Sequence, residues 1–152
     1  MKLVVMSDSH GYDERVREVL KKEKGADYFI HLGDLCSDVR LFPQIIFVRG
    51  NNDYDYDMPE MLVSEFGGIR FLMVHGHRVS YFHRADDLAA LGAKNHCQVV
   101  LYGHSHVFDD QMINGIRLLN PGSLMYNRDR EDIGYYVIEI NEKKYKVYRK
   151  YL

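Results

Sequence analysis

The chain has no tryptophan, only three prolines and only two cysteines in 152 residues. With so few prolines it is neither a polyproline linker nor a collagen-like strand, and 46% hydrophobic against 28% charged residues excludes a disordered chain. Cys36 and Cys97 are too few and too far apart for a disulfide framework or a thiolate metal site. They read as reduced thiols of a cytoplasmic protein. No apolar run approaches the ~20 residues that span a bilayer, so no membrane partner is expected. The opening stretch from Met1 meets Asp8 too soon for the ~7–15 apolar residues of a signal peptide. Strong charge of one sign is missing too. Twenty basic residues face 22 acidic ones, a net charge of −2, so polymeric nucleic acid, which demands a basic track, is not an expected partner.

Histidine (8) and tyrosine (12) are what the chain has in plenty. Its length suits one domain, residues 1–152. Short apolar runs at 3–6, 28–30, 45–48, 69–74, 99–102 and 116–119 read as strands, several buried on both faces because they do not alternate. Residues 62–66 lead through Gly67-Gly68 into 69–74, a hairpin, and 135–140 with 145–151 form a closing hairpin. Residues 13–24, with Val16, Val19 and Leu20 on one side, and 84–96, with Leu88 and Leu91, read as helices. A strand-helix-strand start with hairpins after it implies an α/β fold of two packed mixed sheets with helices outside.

The chemistry sits at the strand ends. The runs finish in Asp8-Ser9-His10, Gly33-Asp34, Gly50-Asn51-Asn52-Asp53, His75-Gly76-His77 and Gly103-His104-Ser105-His106. Ligands of α/β sheets collect outside the carboxyl ends of strands, so these side chains should converge. The convergent set is Asp8, His10, Asp34, Asn51, His75, His104 and His106. Buried imidazoles and carboxylates need partners, and seven donors exceed what one zinc takes, which favours two divalent cations. A nitrogen and oxygen set without thiolate suits Mn, Fe, Co, Ni or Zn better than Mg or Ca.

The order Asp-x-His, Gly-Asp, Gly-Asn, His-Gly-His, Gly-His-x-His resembles the calcineurin-like metallophosphoesterase superfamily. With the short length and Asn120-Pro121-Gly122-Ser123, the chain is similar to its small prokaryotic phosphodiesterase branch. The resemblance implies a four-layer α-β-β-α sandwich. It implies that Asp8, His10 and His106 bind one cation, that Asn51, His75 and His104 bind the second, and that Asp34 bridges them. It further implies that a hydroxide bridging the cations attacks phosphorus in line. The third motif departs from the pattern: the family often has Gly-Asn-His, and here Asn52 takes the place of that histidine. Asn can donate to a phosphoryl oxygen but cannot supply a proton near pH 7. Phosphodiesters with good leaving groups are therefore the expected substrates, with His77 the remaining candidate for general acid or phosphate contact.

Other residues read more plainly. His31, His83 and His96 match no motif and are structural. Cys36 is a small buried thiol rather than a ligand, and Asn120 and Ser123 shape the floor by turn chemistry. Arg49 reads as one half of a sheet-edge ion pair; Arg78, Arg84, Arg128 and Arg130 would supply phosphate contacts or merely solubility, and solubility is the default reading for each. Tyr54, Tyr56, Tyr81 and Phe82 flank the motifs and would line a substrate cleft or a subunit interface, which leaves a homo-oligomer open. Two further functions stay open: a non-catalytic scaffold module on the same fold, and a small-nucleotide pyrophosphatase.

Overall fold

A computed structural model describes residues 1–152. Along the chain run β1 (Lys2–Met6), α1 (Asp13–Lys22), β2 (Tyr28–His31), β3 (Ile45–Phe47), β4 (Met61–Phe66), β5 (Ile69–Val74), α2 (Arg84–Lys94), β6 (Val99–Leu101), β7 (Phe108–Ile113), β8 (Ile116–Pro121), β9 (Gly134–Asn141) and β10 (Lys144–Tyr151). The strands form two five-stranded sheets, ordered β10-β9-β1-β2-β3 and β4-β5-β6-β8-β7. Both are mixed. In the first, β1, β2 and β3 run parallel while β9 is antiparallel to both of its neighbours, β1 and β10. In the second, β5, β6 and β8 run parallel between antiparallel β4 and β7.

Three slabs of core make the layers. Leu3 and Val5 of β1 face Phe71, Met73 and Leu101 of the other sheet across the middle slab. The alternate residues Val4 and Met6 point outward onto Val16 and Val19 of α1. Leu72, Val74 and Val100 pack on Leu88 and Ala89 of α2. Period-two side chains buried on both faces explain why these strands are continuous in hydrophobicity, as the sequence suggested. The result is the expected α/β sandwich of two mixed sheets with helices outside.

Acidic residues open α1 (Asp13, Glu14) and lysines close it (Lys21, Lys22), which suits the helix dipole. Buried Glu23 just beyond it accepts from Lys150 Nζ at 2.8 Å and Tyr135 hydroxyl at 2.9 Å, tying the closing hairpin to the helix. The helices stop at Lys22 and Lys94, two residues short of the sequence expectation each time.

Strand β7 departs from the sequence expectation, which has no strand there. Its residues Phe-Asp-Asp-Gln-Met-Ile are half polar because the strand lies at an edge and leaves Asp110 and Met112 exposed. The hairpin it forms with β8 turns at Asn114-Gly115, both with positive φ (50° and 80°), the turn chemistry that an Asn-Gly pair signals.

Candidate metal centre

β1, β2, β5 and β6 are neighbours or near neighbours within their sheets, and the loops leaving their carboxyl ends bring the strand-end residues together. Two groups result: Asp8, His10 and His106, and Asp34, His75 and His104, each with its ligand atoms within 4.8 Å of one another. Asn51 joins the second group, its Oδ1 lying 3.1 Å from His75 Nε2. The groups meet at Asp34, whose Oδ2 is 3.3 Å from His75 Nε2 and 3.6 Å from His10 Nε2.

The backbone is bent to achieve this. Asp8, His10, Asp34, His104 and His106 all have positive φ, between 44° and 68°. L-residues resist that conformation at roughly 1–2 kcal/mol each. Five of eleven such non-glycine residues fall in the seven-residue set, so backbone strain is concentrated here, where it aims side chains inward. Gly50 and Gly103 do the complementary work of letting segments close. A Cβ on Gly103 would press on Ser7 and sit 2.7 Å from Asp8 Oδ2, and one on Gly50 would overlap Asp34.

Hydrogen bonding then fixes the side chains. His75 Nδ1 donates to Leu32 carbonyl at 2.7 Å, which turns its Nε2 lone pair towards Asp34 and Asn51. Asp8 Oδ2 accepts from Ser7 hydroxyl and from His104 N–H. Its other oxygen, Oδ1, is buried without a donor, although His106, His10 and His75 Nε2 stand 3.2, 3.7 and 3.9 Å away. His10 and His106 Nε2 face each other at 3.1 Å. Imidazole nitrogens and carboxylate oxygens that converge this closely are the donor set of a cation cage, so the residues fit divalent metal.

The charges agree. Burial would raise Asp8, but the neighbouring imidazoles of His10, His106 and His75 and the hydrogen bond from Ser7 outweigh it and hold the carboxyl well below the usual range. Asp34 falls to about 2 because His75 and Asn52 overcome the effect of burial. His104 is pushed down to about 4, by burial first and then by His75. In the opposite sense, the nearby Asp8 carboxylate raises His10, and against burial Asp34 and Asp8 raise His75. Two ionised carboxylates therefore hold protons on neighbouring imidazoles, which cations would displace.

Asp53, the last residue of the Gly50-Asn51-Asn52-Asp53 motif, has a role that sequence reasoning missed. It is buried, and its Oδ2 accepts from Asp34 N–H and Gly50 N–H, both at 2.8 Å, while Oδ1 accepts from Cys36 N–H at 3.0 Å. It holds the shared carboxylate's loop against the Gly50-Asn51 turn. Spacing within the motif is the signal that could find it, since an Asp two residues after Asn51 closes a turn on backbone donors. Ser123 and Asn120 take the floor positions expected of them. Ser123 hydroxyl donates to Asp8 carbonyl at 2.8 Å, and Asn120 Nδ2 to Gly103 carbonyl at 2.9 Å. Arg49 pairs with Glu60 at 2.6 Å. Cys36 is exposed rather than buried, and its Sγ lies 3.6 Å from His10 Nδ1. Burial of the thiol itself and then Asp34, Asp53 and Asp8 push it up to about 12, so it stays protonated and no ligand group includes it.

Two candidates stand apart from the groups. Asn52 Nδ2 donates to Asp34 Oδ2 at 2.9 Å, and its N–H to Oδ1 at 2.8 Å. The His77 ring is 5.5 Å from that of His75 and 6.3 Å from that of His104, and burial, then His75 and Arg78, lower its pKa. The largest surface concavity, about 800 Å³ between Lys2, Asp27 and Glu142, holds none of the seven residues.

The calcineurin-like phosphoesterase superfamily domain model matches residues 1–143. The chain belongs to that superfamily. A probable metallophosphoesterase of Bacillus subtilis, YsnB, is 30% identical over 151 residues, covering 92% of this chain and 85% of the relative. The crystal structure of a conserved uncharacterized protein of Streptococcus pneumoniae, a predicted phosphoesterase, superposes with a TM-score of 0.86 at 33% identity, covering 96% of this chain and 86% of that one. Vps29 of Entamoeba histolytica, crystallised with zinc, has the same fold: TM-score 0.82 at 20% identity over 98% and 91% of the two chains. Membership of a metallophosphoesterase family implies divalent metal, and the chain carries two groups of residues that could hold such an ion. No helix is long and apolar enough to cross a membrane.

His31 of this phosphoesterase is a structural histidine beside the candidate ligands. It is fully buried; Gly33 N–H donates to its Nδ1, so Nε2–H donates to Ser9 hydroxyl at 3.0 Å. Burial pushes its pKa down to about 4 from 6.5. The unfolded chain takes up that proton first, so stability is complete above pH 6.5 and falls as pH drops towards 4. The lost stability is about 3 kcal/mol for this one group. Urea titrations of chelator-treated protein from pH 7 to 4 should show that slope, and His31→Gln should remove it; parallel curves for both proteins would refute the assignment.

Proposed function

We propose that this phosphoesterase holds two divalent cations and hydrolyses small phosphate esters, diesters with good leaving groups before monoesters. One observation carries the reading: the Asp34 carboxylate stands between the two ligand groups, within 3.6 Å of each. In it Asp8, His10 and His106 hold the first ion, Asn51, His75 and His104 the second, and Asp34 both. Mn, Ni, Co, Fe and Zn all suit these donors. Such a pair lowers the pKa of a water towards neutrality and draws charge from the phosphoryl oxygens.

The chain's own groups set the preference among esters. Asn52, tethered to Asp34, presents a neutral amide where a proton donor would serve an alkoxide leaving group. His77, whose pKa is lowered, is neutral at pH 7 and offers an N–H to a phosphoryl oxygen rather than a proton to the leaving group. Esters that leave without help are favoured on both counts. A non-catalytic module would call for a degraded donor set, and all seven donors are present here.

The test is turnover of bis(4-nitrophenyl) phosphate and of alkyl monoesters with each metal. Diester cleavage should dominate with Mn, Ni or Co. Asn52→His should raise kcat on alkyl monoesters by roughly 100-fold, the low end of what general acid catalysis contributes. Monoesterase activity equal to diesterase activity in the wild type would defeat the reading.

A further inference from the structure

Most arginines near the metal face are occupied. Arg49 and Arg78 both reach Glu60 Oε1, at 2.6 and 2.9 Å, and Arg15 is fixed on the carbonyls of Leu124 and Met125. Arg84 is different. It opens α2, is half-buried, and its Nε is buried with no hydrogen-bond partner. No carboxylate pairs with it, and its guanidinium lies 5.5 Å from the centre of the Tyr81 ring. The sequence reading offers it as a phosphate contact or a solubility residue, and a buried, unbonded Nε does not fit the second role.

Arg84 lines a cavity of about 260 Å³ with Tyr102, Ser105, Asp109 and Gln111. These neighbours are already bonded to one another or to the fold. Tyr102 hydroxyl and Gln111 amide both donate to Asp109 Oδ2, at 2.6 and 2.7 Å. Ser105 hydroxyl accepts from Asn120 and from Val107 N–H. The Arg84 guanidinium keeps one buried donor, Nε, without an acceptor. It cannot shed its charge, and an unsatisfied buried donor costs about 1–3 kcal/mol, more when charged. An oxyanion with two oxygens would satisfy its fork. Ser105 of the cavity wall stands between His104 and His106 in sequence, and the Arg84 charge acts on His104.

We propose that Arg84 holds a second oxyanion of the substrate, beyond the phosphoryl group that is cleaved, and so selects phosphate esters that carry two anionic groups. The inference rests on the proposed hydrolysis at the neighbouring metals and names the substrate class of that same site. Arg84 is on this account a specificity-determining residue whose effect lies in KM.

The experiment uses full-length, manganese-loaded protein and 4-nitrophenyl alkyl phosphodiesters. The alkyl group has two to six carbons and ends in hydroxyl, carboxylate or phosphate. Arg84→Ala and Arg84→Gln should raise KM for an anion-tipped ester by roughly 10–100-fold, the range of a hydrogen bond to a charged group, with kcat within about twofold. Hydroxyl-tipped esters should be unaffected, and Arg84→Lys should recover part of the loss. An effect confined to the phosphate arm or to the carboxylate arm identifies which oxyanion is held. An equal change on all three arms, or no change at any chain length, overturns the proposal. If the wild type cleaves none of these esters, the hydrolase reading fails separately, and Arg84 is judged by binding. Phosphorus-31 line broadening of inorganic phosphate with chelator-treated protein should then weaken about tenfold in Arg84→Gln, and identical titrations would sink the inference.

Discussion

Asp34→Asn is expected to lower hydrolysis of bis(4-nitrophenyl) phosphate by about a thousandfold or more and to reduce bound manganese from two ions per chain to one or none. The substitution keeps size and shape but changes what the side chain can do. A carboxylate offers two oxygens and a negative charge to share between cations; the amide offers one oxygen and places an NH2 where the second stood. Asp34 Oδ2 is the atom near both His10 and His75, and Oδ1 already accepts from Asn52 N–H. An amide there would have to present its oxygen to the backbone or to the metals, not to both. Losing one preorganised electrostatic contact typically costs ~10²–10³ in rate, and losing a cation as well should exceed that. His75→Ala, which removes a donor held by Leu32 carbonyl, should behave alike. Metal analysis by mass spectrometry and steady-state kinetics check both variants, with circular dichroism to show that they fold. Turnover that survives in either variant after chelation would overturn the two-cation reading.

The second large effect is on stability. Chelator-treated protein should melt roughly 10–20 °C below protein saturated with manganese. Each ion present at a hundred times its dissociation constant adds about 2.7 kcal/mol, and a chain of this size gains about 2–4 °C per kcal/mol. The gain must also depend on pH, with a defined sign. His10 and His75 are raised by the neighbouring carboxylates, so below their titration they carry protons that the metal must displace. The manganese-induced rise in Tm should therefore be larger at pH 8 than at pH 6. Scanning calorimetry at the two values measures it. A rise that is the same at both, or absent, would show that these imidazoles are not where the metal binds.

Much of the fold is legible in the chain itself. The strands announce themselves through continuous Val, Ile and Leu runs, because a strand covered on both faces meets no water on either. The Gly67-Gly68 hairpin is legible for a similar local reason, with both glycines at positive φ. Strand β7 is not, because at a sheet edge half of its side chains face water and the hydrophobic run dissolves into Asp109, Asp110 and Gln111. Its Asn114-Gly115 turn is a local sign that hydrophobicity alone overlooks. The roles of Asp53 and Arg84 are hidden more deeply. One is defined by backbone N–H groups collected from the Asp34–Cys36 loop as well as from its own turn, the other by the acceptor it lacks.

The residues that can hold metal, and their attachment to strand ends, follow from the chain alone, since residue chemistry and hydrophobic period are local and additive along it. Which carboxylate stands between the two groups was decided by through-space distances. Those come from pairing β1 beside β2 and β5 beside β6, from closing the two sheets face to face, and from forcing five side chains into left-handed backbone. Convergence to within a few ångströms is a property of packed layers, and only folding can set it.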